Sequence, residues 1–91
     1  MNQNLPFNEN WISDNQSIRI FRPDLEDEEL KWHFDEEDRI VISSNETDWR
    51  FQFDNELPIS IKEEIKIPKG VWHRLIKGSG NLELLITRTN F

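Results

Sequence analysis

The most informative absence in this sequence is cysteine, which does not occur among its 91 residues. A disulfide framework, a catalytic thiol and a thiolate metal site are therefore excluded. No segment is long and apolar enough to span a membrane, and the first 20 residues lack the basic start and apolar stretch of a signal peptide. These absences predict a cytoplasmic protein that does not bind membranes.

Basic residues are also scarce, with 11 Lys and Arg against 18 Asp and Glu, which gives a net charge of -7. Such a charge repels phosphate backbones, so it predicts that the protein does not bind nucleic acid. A basic protein partner is compatible with the same charge. The apolar fraction is only 35%, but 4 Trp and 6 Phe offset part of the deficit because each aromatic ring buries a large area.

Apolar and polar residues alternate in short stretches, which is typical of half-buried β-strands. Turn-forming residues separate these stretches, and no amphipathic helical pattern exceeds about two turns. The predicted strands are residues 17–22, 29–34, 39–44, 49–53, 59–61, 64–67, 70–77 and 82–89. The pattern predicts an all-β barrel or sandwich over residues 17–91, preceded by a polar, Asn-rich arm over residues 1–16.

The two histidines, His33 and His73, each follow a tryptophan in a predicted strand. His33 and Asp35 are two residues apart, so they point to one side of their strand and lie about 6.5–7 Å apart along it. Two histidines and one carboxylate form the ligand set of many non-haem iron sites, and the set suits other divalent metals. The pattern therefore predicts a candidate metal site at His33, Asp35 and His73. A hydrogen bond between His73 and Asp35, with no metal, accounts for the same residues equally well.

Other polar residues on predicted strand faces are candidate ligand contacts. Lys31 shares the polar face of residues 29–34, while Arg50 and Gln52 share the polar face of residues 49–53. If these faces line the barrel, the three side chains would bind a small molecule that carries a carboxylate or phosphate. The aromatic residues on the opposite faces either fill the core or, where exposed, form the interface of a homodimer.

The stretch IPKGVWH contains the pattern Pro-x-Gly-x-x-His at Pro68, Gly70 and His73. This pattern resembles the second cupin motif, and HFD at residues 33–35 stands where the first cupin motif has His-x-His. From Ile18 to Ile86 the sequence resembles a small single-domain cupin, of the short type encoded by bacteria and their phages. The resemblance implies a jelly-roll β-barrel and a divalent metal (Fe, Mn, Ni or Zn) held by His33, Asp35 and His73.

The sequence departs from the cupin pattern at several positions. Arg39 and Ile40 stand where the first motif has a Glu, Lys62 where the second motif has a Gly, and Lys77 where it has an Asn. The resemblance therefore implies at most three of the four usual ligands. Three functions stay open: a metal-dependent enzyme, a metal-free module that binds a small molecule, and a protein-interaction module, such as an accessory protein or phage-derived inhibitor, that uses its acidic surface.

Overall fold

The computed structural model describes residues 7–24, 26 and 28–90, which form two antiparallel β-sheets. One 3₁₀ turn, Glu28–Leu30, lies between the second and third strands. The strands are β1 (Phe7–Trp11), β2 (Gln16–Phe21), β3 (Asp38–Ser43), β4 (Arg50–Phe53), β5 (Ile59–Ser60), β6 (Ile65–Ile67), β7 (His73–Ile76) and β8 (Leu82–Thr89). The all-β prediction is confirmed.

The larger sheet has the strand order β1-β2-β8-β3-β6, and the smaller sheet has the order β5-β4-β7. Strand β8 lies at the centre of the larger sheet, paired with β2 on one side and β3 on the other. Alternate residues of these strands face the space between the sheets, as the period of two in the sequence requires. The apolar core consists of Phe21, Val41, Trp49, Phe51, Ile61, Ile65, Ile67, Leu75, Leu82, Leu84 and Ile86.

The predicted strand over residues 29–34 is wrong. Its first residues belong to the 3₁₀ turn, and of the rest only His33 pairs with another strand, through an isolated bridge to His73. The alternation in this stretch has a different cause, because Trp32 and Phe34 are exposed at 40% and 43% and pack on the outside of the barrel. Apolar and polar residues alternate in the same way whether the apolar side of a stretch faces outward or into the core.

The predicted N-terminal arm contains a strand within its described part. Residues Phe7–Trp11 form β1 and pair with β2 in a regular register from Phe7 opposite Phe21 to Trp11 opposite Ser17. The remaining part of the arm, residues 1–6, lies outside the described residues. The boundary between arm and barrel at residue 16 stays a prediction.

The turn between β7 and β8 packs tightly on the start of β4. Asp48 accepts hydrogen bonds from the main-chain N–H of Ser79 at 2.9 Å and from its hydroxyl at 2.8 Å. A Cβ atom on Gly78 would collide with Asp48 and would lie 2.5 Å from Cδ1 of Trp49. The turn therefore requires glycine at this position. The same turn packs against Trp49 and holds its indole in the core.

None of the helical segments in residues 7–24, 26 and 28–90 has the length and apolar character needed to cross a membrane.

Candidate metal centre

The bridge between His33 and His73 brings the two histidines to one point inside the barrel. The main-chain N–H of each residue donates to the carbonyl oxygen of the other, at 3.0 Å and 2.9 Å. Because directly paired residues project to the same side of a sheet, both imidazole rings point inward, and their centroids lie 4.3 Å apart. His73 is 3% exposed and stacks on the ring of Phe51.

The hydrogen bonds of the two rings fix which nitrogen carries the proton. Nδ1 of His33 lies 2.7 Å from the carbonyl oxygen of Lys31, and Nδ1 of His73 lies 2.8 Å from that of Val71. A carbonyl oxygen can only accept, so Nδ1 must be the donor in both rings. In the neutral rings, Nε2 therefore presents a lone pair, which is the arrangement that metal-ligating histidines adopt.

A carboxylate that sequence analysis missed completes this group. A ligand atom of Glu29 and one nitrogen each of His33 and His73 all lie within 4.8 Å of one another. Oε1 of Glu29 lies 2.8 Å from Nε2 of His33. In a strand, residues 29 and 33 would be about 13 Å apart, so the strand prediction hid this contact. The 3₁₀ turn brings the two side chains together.

Asp35 lies beside His73 and outside that group of three. Its Oδ2 is 3.3 Å from Nε2 of His73, and its Oδ1 is 3.5 Å from the guanidinium of Arg39. Its main-chain carbonyl accepts a hydrogen bond from the N–H of Gly70 at 2.9 Å. Gly70 has φ of 79°, a conformation that favours glycine, so the Pro68–Gly70 turn of the cupin-like motif places Asp35 against His73.

Two buried polar atoms in this region have no hydrogen bond within the described chain. They are Nε2 of His33 and Oδ2 of Asp35. The short contact between His33 and Glu29 is therefore an electrostatic contact with poor hydrogen-bond direction. Leaving such atoms unpaired costs about 1–3 kcal/mol each, which is why unpaired buried groups so often mark a functional site.

The charges around the histidines shift three pKa values. For His33, burial disfavours the charged form, but the contact with Glu29, the bond to Lys31 and the charges of Glu29 and Asp35 outweigh burial and raise the pKa. Burial opposes the charged forms of Glu29 and Asp35 as well. The neighbouring histidines and arginines outweigh it, and they lower the pKa of both carboxyl groups.

These shifts predict how the stability of the metal-free protein depends on pH. The contribution of His33 is complete below its unfolded pKa of 6.5 and is lost as the pH rises through the higher folded pKa. The contributions of Glu29 and Asp35 are present above their unfolded values of 4.5 and 3.8 and are lost as the pH falls through the lower folded values. We expect the urea midpoint in EDTA to be highest between about pH 4.5 and 6.5.

The variant His33→Gln provides the control for this pH dependence. It should remove most of the decline on the alkaline side of the maximum. On the acidic side it should keep the contribution of Asp35, whose pKa His73 and Arg39 still lower, and lose the part of the Glu29 contribution that depends on His33. A wild-type midpoint that rises steadily from about pH 6 to pH 8 would contradict the assignment of the raised pKa to His33.

The cavity next to His73 is small. Its volume is about 20 Å³, enough for one water-sized molecule or an ion but not for an organic substrate. Its polar lining residues are Arg19, Glu29, Asp35, Arg39 and His73, and its apolar lining residues are Phe21, Val41, Phe51, Ile67, Leu75, Leu84 and Ile86. A larger open depression of about 990 Å³ lies elsewhere, among the loops near Ser43, Asp48 and Asn81.

The three residues predicted as ligand contacts do not line the cavity. Lys31 is exposed and lies 3.7 Å from Glu28. Arg50 is exposed, and Gln52 accepts a hydrogen bond from Arg74 on the outer face of the smaller sheet. The predicted ligand-binding role required the polar face of β4 to line the barrel. Phe51 points inward instead, so the polar face of β4 points outward.

A chain of ion pairs links strand β1 to the candidate centre. The carboxylate of Glu9 accepts hydrogen bonds from Ser17 at 2.7 Å, from Arg19 at 3.1 Å and from Arg88 at 3.1 Å. Arg19 is 8% exposed, and its guanidinium also lies 3.5 Å from Glu29. Glu9 and Glu29 thus share the charge of one buried arginine.

Solved structures with this fold cover nearly all of the chain. A cupin-2 domain protein from Shewanella frigidimarina has a TM-score of 0.64 at 20% identity, over 98% of this chain and 85% of its own. A cupin domain from Bordetella pertussis has a TM-score of 0.62 at 15% identity, over 98% and 99%. The DMSP lyase from Ruegeria pomeroyi has a TM-score of 0.60 at 12% identity, over 94% of this chain and 48% of its own.

The protein is therefore a small cupin-fold domain, as the resemblance at Pro68, Gly70 and His73 implied. At these identities the likeness establishes the jelly-roll fold alone. No protein-family model and no curated protein matches the sequence. The function must therefore be argued from the side chains inside the barrel.

Proposed function

We propose that the protein binds a divalent metal ion through Nε2 of His33, Nε2 of His73 and the carboxylate of Glu29. The observation that carries the proposal is the group of three ligand atoms within 4.8 Å of one another. Both imidazoles also have Nδ1 bonded to a main-chain carbonyl, which leaves Nε2 available as a ligand.

The donor atoms fit the metals expected from the sequence. Two imidazole nitrogens and one carboxylate oxygen suit Fe(II), Mn(II), Ni(II) or Zn(II) and leave coordination positions open. A cation would also supply the partner that buried Nε2 of His33 lacks. A cavity of about 20 Å³ lies against Glu29 and His73, two of the three proposed ligands, and has room for an ion.

Asp35, the carboxylate predicted as a ligand, has a different place in this proposal. It lies outside the group of three, and its Oδ2 approaches His73 without forming a hydrogen bond. We assign it the role of holding negative charge beside His73, which favours a cation in the centre. Arg39 balances that charge from the opposite side of the carboxylate.

A bound divalent ion would supply Lewis-acid polarisation of a substrate oxygen and a lowered pKa for bound water. The protein would hold it with three side chains, and the apolar wall at Phe51 would limit the entry of bulk water. Because the cavity is small, an organic substrate would have to bind outside it.

Two neighbouring glutamates of the 3₁₀ turn provide a matched test of the proposal. Glu29→Gln removes a proposed ligand with little change in shape, whereas Glu28→Gln removes a carboxylate that is exposed to solvent. We expect Glu29→Gln to weaken metal binding at least about tenfold and Glu28→Gln to leave it unchanged. Titration calorimetry and elemental analysis, on protein purified without an affinity tag, measure the difference.

The competing interpretation is that the contacts from His33 to Glu29 and from His73 to Asp35 form a purely structural network. It predicts no metal after exposure to Fe(II), Mn(II), Ni(II) and Zn(II). Equal metal affinity in wild type and Glu29→Gln would also reject the proposed ligand set.

A further inference from the structure

Charged side chains with little exposure to solvent surround the proposed metal site and are joined by ion pairs. Each of these side chains is at most 20% exposed. The positive members are Arg19, Arg39 and Arg88, and the negative members are Glu9, Glu29 and Asp35. While both histidines are neutral, the positive and negative charges of this group are equal in number. The group is therefore balanced without a metal ion.

A divalent ion would change this balance. It would bind through neutral His33, neutral His73 and ionised Glu29, so it adds two positive charges and displaces none of the arginines. The group would then carry two positive charges in excess. Unbalanced charge is costly in a place sheltered from water. An anion that binds together with the metal would reduce that cost.

Arg39 is the residue with the capacity to bind such an anion. It lines the cavity of about 20 Å³ together with Glu29 and His73, two of the proposed ligands. Its Nε donates to Glu37 at 2.6 Å, but Nη1 and Nη2 donate no hydrogen bond to any described residue. Nη1 only approaches Oδ1 of Asp35, at 3.5 Å. Because both terminal nitrogens of a guanidinium are N–H donors, Arg39 can still bind an oxygen ligand.

The other two arginines of the group already donate to side chains of this chain. Arg88 donates to Ser17 at 3.0 Å and to Glu9 at 3.1 Å, and it is not among the described residues that line the cavity. Arg19 donates to Glu9 from both Nε and Nη2, at 3.2 Å and 3.1 Å. These contacts leave Arg39 as the arginine best placed to receive an anion.

The strand register gives a second reason for an anion at Arg39. The pairing of β3 with β8 sets Arg39 directly opposite Arg88. Their neighbours two residues along, Val41 and Ile86, are core residues, so both arginines point to the inner side of the sheet. Like charges placed directly opposite each other destabilise a sheet. Negative charge at Arg39 would therefore also offset this repulsion.

We propose that the metal centre binds the carboxylate of a small organic acid, with one oxygen on the metal and the other on Arg39. This inference rests on the proposed metal site. A planar carboxylate matches the planar donors of a guanidinium, and it is less bulky than a tetrahedral phosphate. Because the cavity is small, only the carboxylate end would reach it, and the rest of the acid would lie outside.

Formate, the smallest carboxylate, is the probe for this proposal. Titration calorimetry, with whichever of the four metals the wild type binds most tightly, compares formate and perchlorate solutions of equal ionic strength. Formate should lower the metal Kd at least about fivefold, the lower end of typical coupling between two ligands. Formate that binds the metal in free solution would raise the apparent Kd, so it cannot produce this result. Formamide, which has the same shape and no charge, should leave the Kd unchanged.

Two arginine variants locate the effect. Arg39→Gln should abolish the response to formate, and in perchlorate it should bind metal as tightly as the wild type or more tightly, because it lacks a positive charge beside the ion. Arg22→Gln, at an exposed arginine, should keep the full response. A purely structural role of Arg39 predicts weaker metal binding in both solutions. Circular dichroism and urea midpoints establish that each variant is folded.

The wild-type comparison separates failure of this proposal from failure of the metal site. Metal binding with the same Kd in formate and perchlorate would overturn the carboxylate site and leave the metal site in place. A full response to formate in Arg39→Gln, or an equal response to formamide in the wild type, would also overturn it. If the wild type bound none of the four metals, both proposals would be rejected.

Discussion

The variant His73→Ala is expected to lose metal binding and all metal-dependent stabilisation. At a free metal concentration of one hundred times the Kd, binding adds about 2.7 kcal/mol to the free energy of unfolding of the wild type. For a domain of this size that corresponds to a rise in Tm of about 10–20 °C. The variant lacks one of the two proposed nitrogen ligands and should show no rise, whichever of the four metals is added.

His73→Ala also removes a ring that stacks on Phe51, so its metal-free Tm should be lower than that of the wild type. His73→Phe separates the two effects, because it keeps an aromatic ring against Phe51 and provides no nitrogen. It should have a metal-free Tm closer to the wild type and should still show no response to metal. A metal-dependent rise in Tm that persists in both variants would remove His73 from the ligand set.

Replacing Trp49 by Ala should cause the largest loss of stability without affecting any proposed ligand. The indole is 1% exposed, packs near Phe21 at 6.1 Å, and donates from Nε1 to the carbonyl of Gly80 at 2.6 Å. Truncating a buried aromatic side chain costs about 3–5 kcal/mol. The total free energy of unfolding of a small domain is only about 5–15 kcal/mol, so the urea midpoint should fall by about a fifth or more.

Trp11→Ala is the matched control for this experiment. Trp11 is 56% exposed, and its main described contact is with the guanidinium of Arg88, 4.2 Å from the ring centroid. Such exposed contacts are worth about 0.5–1 kcal/mol. If the two variants lost the same amount of stability, the assignment of Trp49 to the core would be wrong.

The sequence predicts strands correctly where one side of the strand faces the core and the other faces solvent. In β8 the residues Leu82, Leu84 and Ile86 are buried and those between them are half-buried. The alternation of residue types in the sequence therefore matches the alternation of burial in the structure. The stretch around Trp32 and Phe34 has the same period for the opposite reason, since its aromatic residues face outward. Period alone cannot distinguish an exposed apolar face from a buried one.

The sequence indicates the two histidines of the candidate centre but not its carboxylate, Glu29. His33 and His73 could be named because they are the two histidines of the chain and one follows a recognisable turn. Glu29 belongs to a run of acidic residues whose usual location is the surface. Its contact with His33 depends on a 3₁₀ turn, and a spacing of four between an acid and a histidine is the signal that would have suggested it.

The ion pairs of Glu9 have a consequence for how the protein can be shortened. A fragment that begins after β1 would keep Arg19 and Arg88 but would lose the carboxylate that both contact. Arg19 would keep its contact with Glu29 at 3.5 Å, so more of its positive charge would act on that carboxylate. Removing β1, although it lies at the edge of a sheet, would thus change the charge balance at Glu29 and with it the affinity of the proposed metal site.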